Sequence, residues 1–296
     1  MNPFPKSGGA WFASCLRSKA YIGKTKLTEM KHLMTLMALV IFSMSVTVSA
    51  QTDTTVFDGN SYVRLNMSEL VSTIQTLQNQ IDALEFVCGS SYTYEGHDYA
   101  TVLIGGQCWF AENLRSENYT DGSVIPADLN DAIWGGTAAG AVTVYDEGGS
   151  NEGTNLATYG RLYNWYAVDD ARGLCPSGWH VPTDGEFMTL EMELGMSYTD
   201  ANGMGYRGTD QGTQMKSSAS DSPAWNGTNT SGFSGLAGGY RNSSGGFNDV
   251  GYYGYFWSAS ADGTFAWVRE LNGGNTEVYR YSNNLRSGFS VRCVRD

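Results

Sequence analysis

The sequence predicts an α+β fold with short antiparallel strands, two helices and long loops, preceded by a coiled-coil helix. Three observations support this prediction. Apolar residues recur at alternating spacings of four and three over residues 63–88, which is typical of a heptad repeat. Two short helical patterns flank Cys175. Residues 255–296 hold four compact strand patterns, and turn signals separate the first three of them.

Residues 30–50 are predicted to be a secretory signal peptide. Lys31 and His32 precede a short apolar run over 33–46, and Val-Ser-Ala at 48–50 resembles a cleavage site. The run is too short for a membrane-spanning helix. We interpret residues 1–29 as an over-extended N-terminus; the alternative is a long basic leader. The sequence therefore predicts a secreted or extracellular protein at the cell surface that does not span the membrane.

The chain is acidic, with a net charge of −12. Residues 1–50 contain six of its basic residues and one acidic residue, so cleavage makes the remaining chain still more acidic. Phosphate-rich partners require the opposite charge. We therefore expect no nucleic-acid partner and no binding to anionic membrane surfaces.

After a linker at 51–62, residues 63–88 are predicted to form a coiled-coil stalk. The heptad a positions are Met67, Ile74 and Ile81, and the d positions are Val63, Leu70, Leu77 and Leu84. Such a narrow apolar stripe favours a parallel homo-dimer or homo-trimer. The alternative is a helix that packs on its own domain.

Residues 89–296 are predicted to form the globular domain. Its first half should contain a strand–turn–strand unit over 92–99, a strand over 100–104, a long segment with few elements over 115–156, and a helix over 159–168. Thr183 or Asp184 is the expected cap of a second helix, which Gly195 ends. Strands are expected over 255–260, 265–271, 276–281 and 289–294, with hairpin turns at 262–263 and 272–274.

Four cysteines follow the predicted leader, namely Cys88, Cys108, Cys175 and Cys293. An even number of cysteines in an exported protein indicates disulfides, and four cysteines allow three pairings. Cys88 and Cys108 bracket a hairpin-like segment, which favours a bond between them.

Four segments carry a family resemblance. CPSGWHVPTDGEF at 175–187, YATVLIGGQCWFAENL at 99–114, YGRLYNWYAV at 159–168 and GFSVRCVRD at 288–296 resemble the Fibrobacter succinogenes major paralogous domain, in that family's order. The resemblance implies a C-type-lectin-like fold, related to the formylglycine-generating enzymes. It also implies a bond between Cys175 and Cys293. It implies no particular activity.

The sequence gives little support for catalysis. It contains no HExxH, GxSxG, phosphate-binding loop or Cys-x-x-Cys motif. We interpret His180 as a structural histidine, and His97 has no evident partner in the sequence. Formylglycine-generating chemistry needs a reactive cysteine pair, whereas all four cysteines here have structural pairings. We therefore predict a non-catalytic protein; the alternatives are an enzyme of that branch and a structural surface or assembly protein.

Metal binding is also weakly supported. Asn242, Asn248 and Asp249, or Asp121 with neighbouring oxygens, offer the hard ligands that Ca²⁺ prefers. Solvated turns explain the same residues better, which leaves Ca²⁺ as the weaker alternative. We therefore predict no metal site and no cofactor.

Residues 239–286 are rich in Tyr, Asn and Arg, the residue types of recognition surfaces. We predict a glycan or a cell-surface protein as the ligand. We expect Phe256, Trp257, Trp267 and Phe289 to lie in the core. The predicted ligand-binding residues are Arg241, Asn242, Asn248, Asp249, Tyr252, Tyr253, Asn275, Glu277, Tyr279, Tyr281 and Asn283.

Overall fold

The computed structural model describes residues 53–57, 62–66 and 86–296. Strands β1 (Asp53–Phe57) and β2 (Tyr62–Asn66) pair in an antiparallel hairpin. The predicted stalk helix was therefore wrong at its start, because Val63 lies in β2, and at its end, because Cys88 forms a bridge with Ser90. The rest of the predicted stalk, 67–85, and the predicted leader, 1–50, lie outside the described residues.

Phe86–Asp296 forms a compact α+β unit built on two main sheets. The larger sheet has six strands in the order β10, β15, β14, β13, β11, β12, and the smaller has four in the order β5, β6, β16, β9. Most neighbours are antiparallel, as predicted, but β11 and β13 are parallel. The strands are β3 (Tyr92–Tyr94), β4 (His97–Tyr99), β5 (Thr101–Ile104), β6 (Gln107–Phe110), β7 (Val142–Thr143), β8 (Leu162–Tyr163), β9 (Trp179–His180), β10 (Gly205–Arg207), β11 (Gly238–Arg241), β12 (Phe247–Val250), β13 (Tyr253–Asp262), β14 (Phe265–Asn272), β15 (Val278–Asn284) and β16 (Val294–Arg295).

The helices differ from the prediction in number and position. Within 86–296 they are α1 (Asp131–Gly136), α2 (Glu152–Tyr159), α3 (Trp165–Val168), α4 (Asp184–Glu193), α5 (Tyr198–Ala201) and α6 (Gln211–Met215). The helix predicted over 159–168 is correct only in its last turn, because Asn164 ends strand pairing and caps α3 by accepting a hydrogen bond from the Ala167 amide. Helices α1 and α2 lie in the segment that was expected to hold few elements.

Helix α4 begins where the sequence predicted. The Thr183 side chain accepts from the Glu186 amide, and the Glu186 carboxylate accepts from the Thr183 amide at 2.7 Å, which completes a capping box. His180 lies beside this cap. Its Nε2 is 2.8 Å from Glu186 and its Nδ1 is 2.8 Å from Asp296, so both ring nitrogens have carboxylate partners. These contacts fit the structural role that we expected for His180.

Both predicted disulfides are present. Cys88 bonds to Cys108, and Cys175 bonds to Cys293 across 118 residues of sequence. The second bond joins the segment before α4 to the segment before β16. In a chain-entropy model, a disulfide that closes so long a loop stabilises the fold by about 4–5 kcal/mol, because it restricts the unfolded chain.

The six-stranded sheet separates two hydrophobic cores. Trp257 packs on one face with Phe289 and Tyr163, while the adjacent Phe256 packs on the other face with Phe233. Both β13 side chains are fully buried, as is Phe289, and this confirms their predicted place in the core. Trp267 is only half-buried and belongs to neither core cluster, so its predicted place in the core was wrong. The Arg280 guanidinium stacks on its ring, with Cζ 3.8 Å from the ring centroid.

A buried ion network joins helix α4 to the sheet face that carries Phe256. Glu191 accepts from Arg269 Nε at 2.7 Å and from Arg207 Nη1 at 2.8 Å. Asp184 accepts from Arg269 Nη1 and from Arg280 Nη2, both at 2.7 Å. Burial alone would raise the pKa of Asp184, but the hydrogen bonds and charges of Arg280 and Arg269 outweigh it and lower that pKa.

We predict that Glu191→Gln destabilises the domain by about 3–5 kcal/mol, because it leaves buried guanidinium groups without their charge partner. Urea unfolding of the full chain measures this loss. Glu193→Gln, an exposed position on the same helix, is the matched control and should be nearly neutral. Equal effects of the two substitutions would show that the network does not hold α4 to the sheet.

Candidate functional site

On the sheet face opposite the ion network, strand register places six tyrosines on either side of Glu270 and Asn272. Strand β14 forms the floor between them with Glu270 and Asn272. One wall, from β10 and β15, is Tyr206, Tyr279 and Tyr281; the other, from the start of β13, is Tyr252, Tyr253 and Tyr255. We call these eight residues the tyrosine groove.

Strand register brings the groove together. Glu270 lies directly opposite Tyr255 on one side and Tyr279 on the other, and Tyr279 lies opposite Tyr206. Side chains directly opposite one another on neighbouring strands point to the same face. The two walls therefore stand two strand spacings apart, about 9–10 Å, with Glu270 between them.

The rings within each wall support one another. Tyr206 and Tyr279 have centroids 4.5 Å apart, and Tyr279 and Tyr281 have centroids 5.1 Å apart. In the second wall, Tyr252 meets Tyr253 edge to face at 4.9 Å, and Tyr253 stacks on Tyr255 at 5.8 Å. Such contacts hold ring orientation before any ligand arrives.

Exposure increases toward the rim of the groove. Tyr252 is 50 % exposed and Tyr206 is 45 % exposed, whereas Tyr255 is buried. Tyr281 is half-buried and packs against the larger hydrophobic core. The rim tyrosines therefore offer contact area, while Tyr255 and Tyr281 are also part of the fold.

Glu270 is the unusual group on the floor. It is only 8 % exposed, and no Lys or Arg of the described residues pairs with it. Burial raises the pKa of Glu270, and the negative charge of Asp249 raises it further. Hydrogen bonds from Asn272 and Tyr206 partly offset this rise without cancelling it. The floor thus carries a carboxylate that the fold leaves without a cation.

Asp249 brings a second carboxylate to the Tyr255 wall. It lies within β12 at a positive φ of 67°, a conformation that Asp tolerates better than most residues. The Tyr255 hydroxyl donates to Asp249 Oδ2 at 3.2 Å. Burial first, and then the negative charge of Glu270, raise the pKa of Tyr255, so its hydroxyl stays protonated and donates.

A buried lysine anchors the turn at the end of the groove. Lys216 Nζ donates to the carbonyls of Asn272 and Asn275, at 2.8 Å each. Burial lowers the pKa of Lys216. Tyr252 lies over the same turn, where a Cβ on Gly274 would come within 2.7 Å of the tyrosine hydroxyl. A side chain at position 274 would therefore push the Tyr252 ring away from the turn.

Several predicted binding residues lie in or beside the groove. Tyr252, Tyr253, Tyr279 and Tyr281 form its walls, Asp249 adjoins them, and Asn275 lies in the anchored turn. Glu277 directly precedes β15 and is half-buried.

Other predicted binding residues have structural partners. Arg241 is only 3 % exposed and donates to the carbonyls of Gly245 and Leu129, so it does not present its guanidinium as a surface contact. Asn242 accepts from the amides of Ser244 and Gly246 within the β11–β12 turn. Asn248 donates to the Gly246 carbonyl, and Asn283 accepts from the Asn284 amide.

Sequence reasoning missed four groove residues, Tyr206, Tyr255, Glu270 and Asn272. Alternation along β13 and β14 could have placed Tyr255, Glu270 and Asn272 on one face. Nothing local marks Tyr206, which joins the groove only because β10 pairs with β15.

Another cavity, of about 660 Å³, lies between the β3–β4 hairpin and α2. Its charged groups have polar or charged protein partners. His97 Nε2 lies 2.9 Å from Glu112, and Arg161 pairs with Glu117. Glu95 accepts from Ser116 Oγ at 2.6 Å. These pairings give the cavity's polar groups structural partners, whereas Glu270 has no cationic one.

Comparison with known proteins identifies the family. The sequence profile of the Fibrobacter succinogenes major domain matches residues 102–295, more than half of the chain. The chain belongs to this family. No curated protein and no solved structure matches it. The groove lies wholly within the part that matches the Fibrobacter succinogenes major domain.

The described part of the chain contains neither a candidate membrane span nor a candidate metal cluster. None of its described helices is long and apolar enough to cross a bilayer. Within the same residues, no three His, Cys, Asp or Glu side chains gather where they could hold a metal ion. Asp121, one of the oxygen ligands considered above, accepts from the amide and hydroxyl of Ser123.

We predict that Glu270→Gln raises the melting temperature at about pH 7 but not at about pH 4. The reason is the raised pKa of Glu270 in the folded state, compared with the ordinary value of 4.5. Its contribution to stability is fully present below pH 4.5, where the group is protonated in both states. That contribution is lost as the pH rises through the folded-state pKa.

Thermal melts of the full chain across this pH range measure the difference. Asp262→Asn removes the same charge at the far end of the β13–β14 hairpin and is the matched control. A Glu270→Gln variant that is destabilised at neutral pH would mean that the carboxylate has a cationic partner in the folded protein.

Proposed function

We propose that this protein is a secreted, non-catalytic binding module that recognises a glycan or a cell-surface protein through the tyrosine groove. The observation that carries the proposal is the pair of tyrosine walls, part-exposed and facing each other across β14. Tyrosine offers a large contact area with little loss of side-chain entropy. Its ring also suits stacking on the apolar face of a sugar or on a peptide side chain.

The scaffold around the groove supports this function. Binding residues work best when a rigid structure positions them. Here Lys216 fixes the β14–β15 turn, and the ion network on the opposite face fixes β10, β14 and β15 against α4. The groove is therefore formed before a ligand binds, which lowers the entropic cost of recognition.

The disulfides support an extracellular location. Cys88–Cys108 and Cys175–Cys293 are both formed, and such bonds persist mainly in oxidising compartments. Together with the leader predicted at 30–50, they support export and an adhesive role at the cell surface.

We predict that Tyr206→Ala with Tyr252→Ala strongly weakens ligand binding while leaving the melting temperature nearly unchanged. Each exposed ring should contribute about 1–2 kcal/mol to binding. Glycan and cell-surface protein arrays, probed with the full chain and the double variant, measure the loss. Tyr281 is unsuitable for this test because it packs against the core.

Tyr198→Ala is the matched control, because Tyr198 is 66 % exposed but lies on α5, outside the groove. The control should bind as the unaltered chain does. Equal binding by the double variant would place recognition elsewhere on the protein and refute the proposed role of the groove.

We further propose that the protein oligomerises through the heptad pattern over 67–85. Linking several grooves would raise avidity for a repeated ligand without new contacts. Ile74→Asp with Ile81→Asp puts charge at two a positions and should convert a dimer or trimer to a monomer in analytical ultracentrifugation.

Ser72→Asp with Asn79→Asp adds the same charge at f positions, opposite the apolar stripe, and is the matched control for oligomerisation. This control should keep the oligomer intact. A full chain that sediments as a monomer before any substitution would contradict the coiled coil.

A further inference from the structure

Glu270 is a buried carboxylate on the floor of the tyrosine groove. Carboxylates as buried as this one normally have a cationic partner, because an isolated buried charge is costly. Asp184 and Glu191 follow that rule, with two arginines each. Glu270, at 8 % exposure, has only neutral polar neighbours and a second carboxylate, Asp249.

The arrangement follows from the alternation of side chains along the strands. Arg269 precedes Glu270 on β14 and is paired with Arg280 in the sheet register. Both arginines point to the opposite face, where they bond to Asp184. The sheet thus places both arginines on the face opposite the groove. None of the described residues supplies a cation to Glu270, so its carboxylate is open to pairing with a cationic ligand.

The shape of the groove restricts which cation fits. Glu270 is 8 % exposed and lies between two rows of rings, so we expect a slender group to reach it more readily than a bulky one. A long methylene stem that ends in an ammonium group would reach it, because its stem packs on the rings while its charge reaches the floor. Tyrosine faces attract such a cation when it lies within about 6 Å of the ring centroid.

We propose that the tyrosine groove binds a lysine side chain of a protein partner, with its ammonium group at Glu270 and its stem between the Tyr253 and Tyr279 walls. This proposal rests on the proposed binding function and narrows its ligand from glycan or protein to a lysine-bearing protein surface. An amino sugar carries its amine directly on a ring, so we expect it to approach the half-exposed rim rather than the buried Glu270.

The test uses Nα-acetyl-lysine methylamide as the probe, titrated into the full chain and followed by NMR. Saturable shifts of groove resonances are expected. Glu270→Gln should weaken the affinity by about tenfold or more, as expected for a charge-assisted contact. Asp262→Asn should leave the affinity unchanged, although it removes the same net charge. Melting curves confirm that both variants are folded.

Two further probes separate the alternatives. Nα-acetyl-norleucine methylamide keeps the stem without the charge and should bind much more weakly. Glucosamine should not compete; glucosamine that binds more tightly than the lysine probe would overturn the choice of lysine. Equal affinity of the lysine probe for the unaltered chain and Glu270→Gln would refute the role of Glu270.

The outcome also separates this inference from the proposed function. Suppose that the Tyr206 and Tyr252 double variant no longer binds an array ligand, whereas the Glu270→Gln variant still binds it. The groove then binds without a cation, and only the inference fails. If neither set of substitutions changes binding, both proposals fail.

Discussion

The buried ion network between α4 and the six-stranded sheet is the constraint on which the rest of the domain depends. Three guanidinium groups share two carboxylates, and Glu191 and Arg269 have fully buried side chains. Charges this deep are tolerated only with near-complete pairing, so α4 can occupy only one position against β10, β14 and β15. The capping box and the Cys175–Cys293 bond fix the start of the same helix.

That constraint also shapes the opposite face. Because side chains alternate along a strand, fixing Arg269 and Arg280 toward α4 fixes Glu270 and Tyr279 toward the groove. Arg207, Arg269 and Arg280 therefore pair with carboxylates on the α4 face, while Glu270 on the other face has no cationic partner among the described residues. A local cost of this kind, at the centre of an otherwise well-packed sheet, is what a binding site is expected to show.

The sequence predicted the features that depend on neighbouring residues. The predictions failed for elements whose structure depends on contacts with residues distant in the sequence. The Thr183 cap and both disulfides follow from local signals or from the family resemblance. The hairpin turn predicted at 262–263 is present one residue later, at Gly263 and Thr264, because Asp262 still pairs with Phe265. The helix expected over 159–168 is interrupted because Leu162 and Tyr163 pair with β7. The stalk expected from residue 63 is wrong at its start because Val63 pairs in β2. Tyrosines at 252, 253, 279 and 281 were recognised by composition, but Tyr206 required the register of β10.

The net charge of the chain and the local charge of the groove both favour a cationic ligand. The whole chain carries −12, so its long-range field repels anionic partners and attracts cationic ones during encounter. Within the groove, Asp249 and Glu270 extend that preference to contact distance, where tyrosine faces also favour cations. Neutral sugars gain from the rings but not from either charge. A basic protein surface would gain from the rings, from the two carboxylates and from the net charge of the chain.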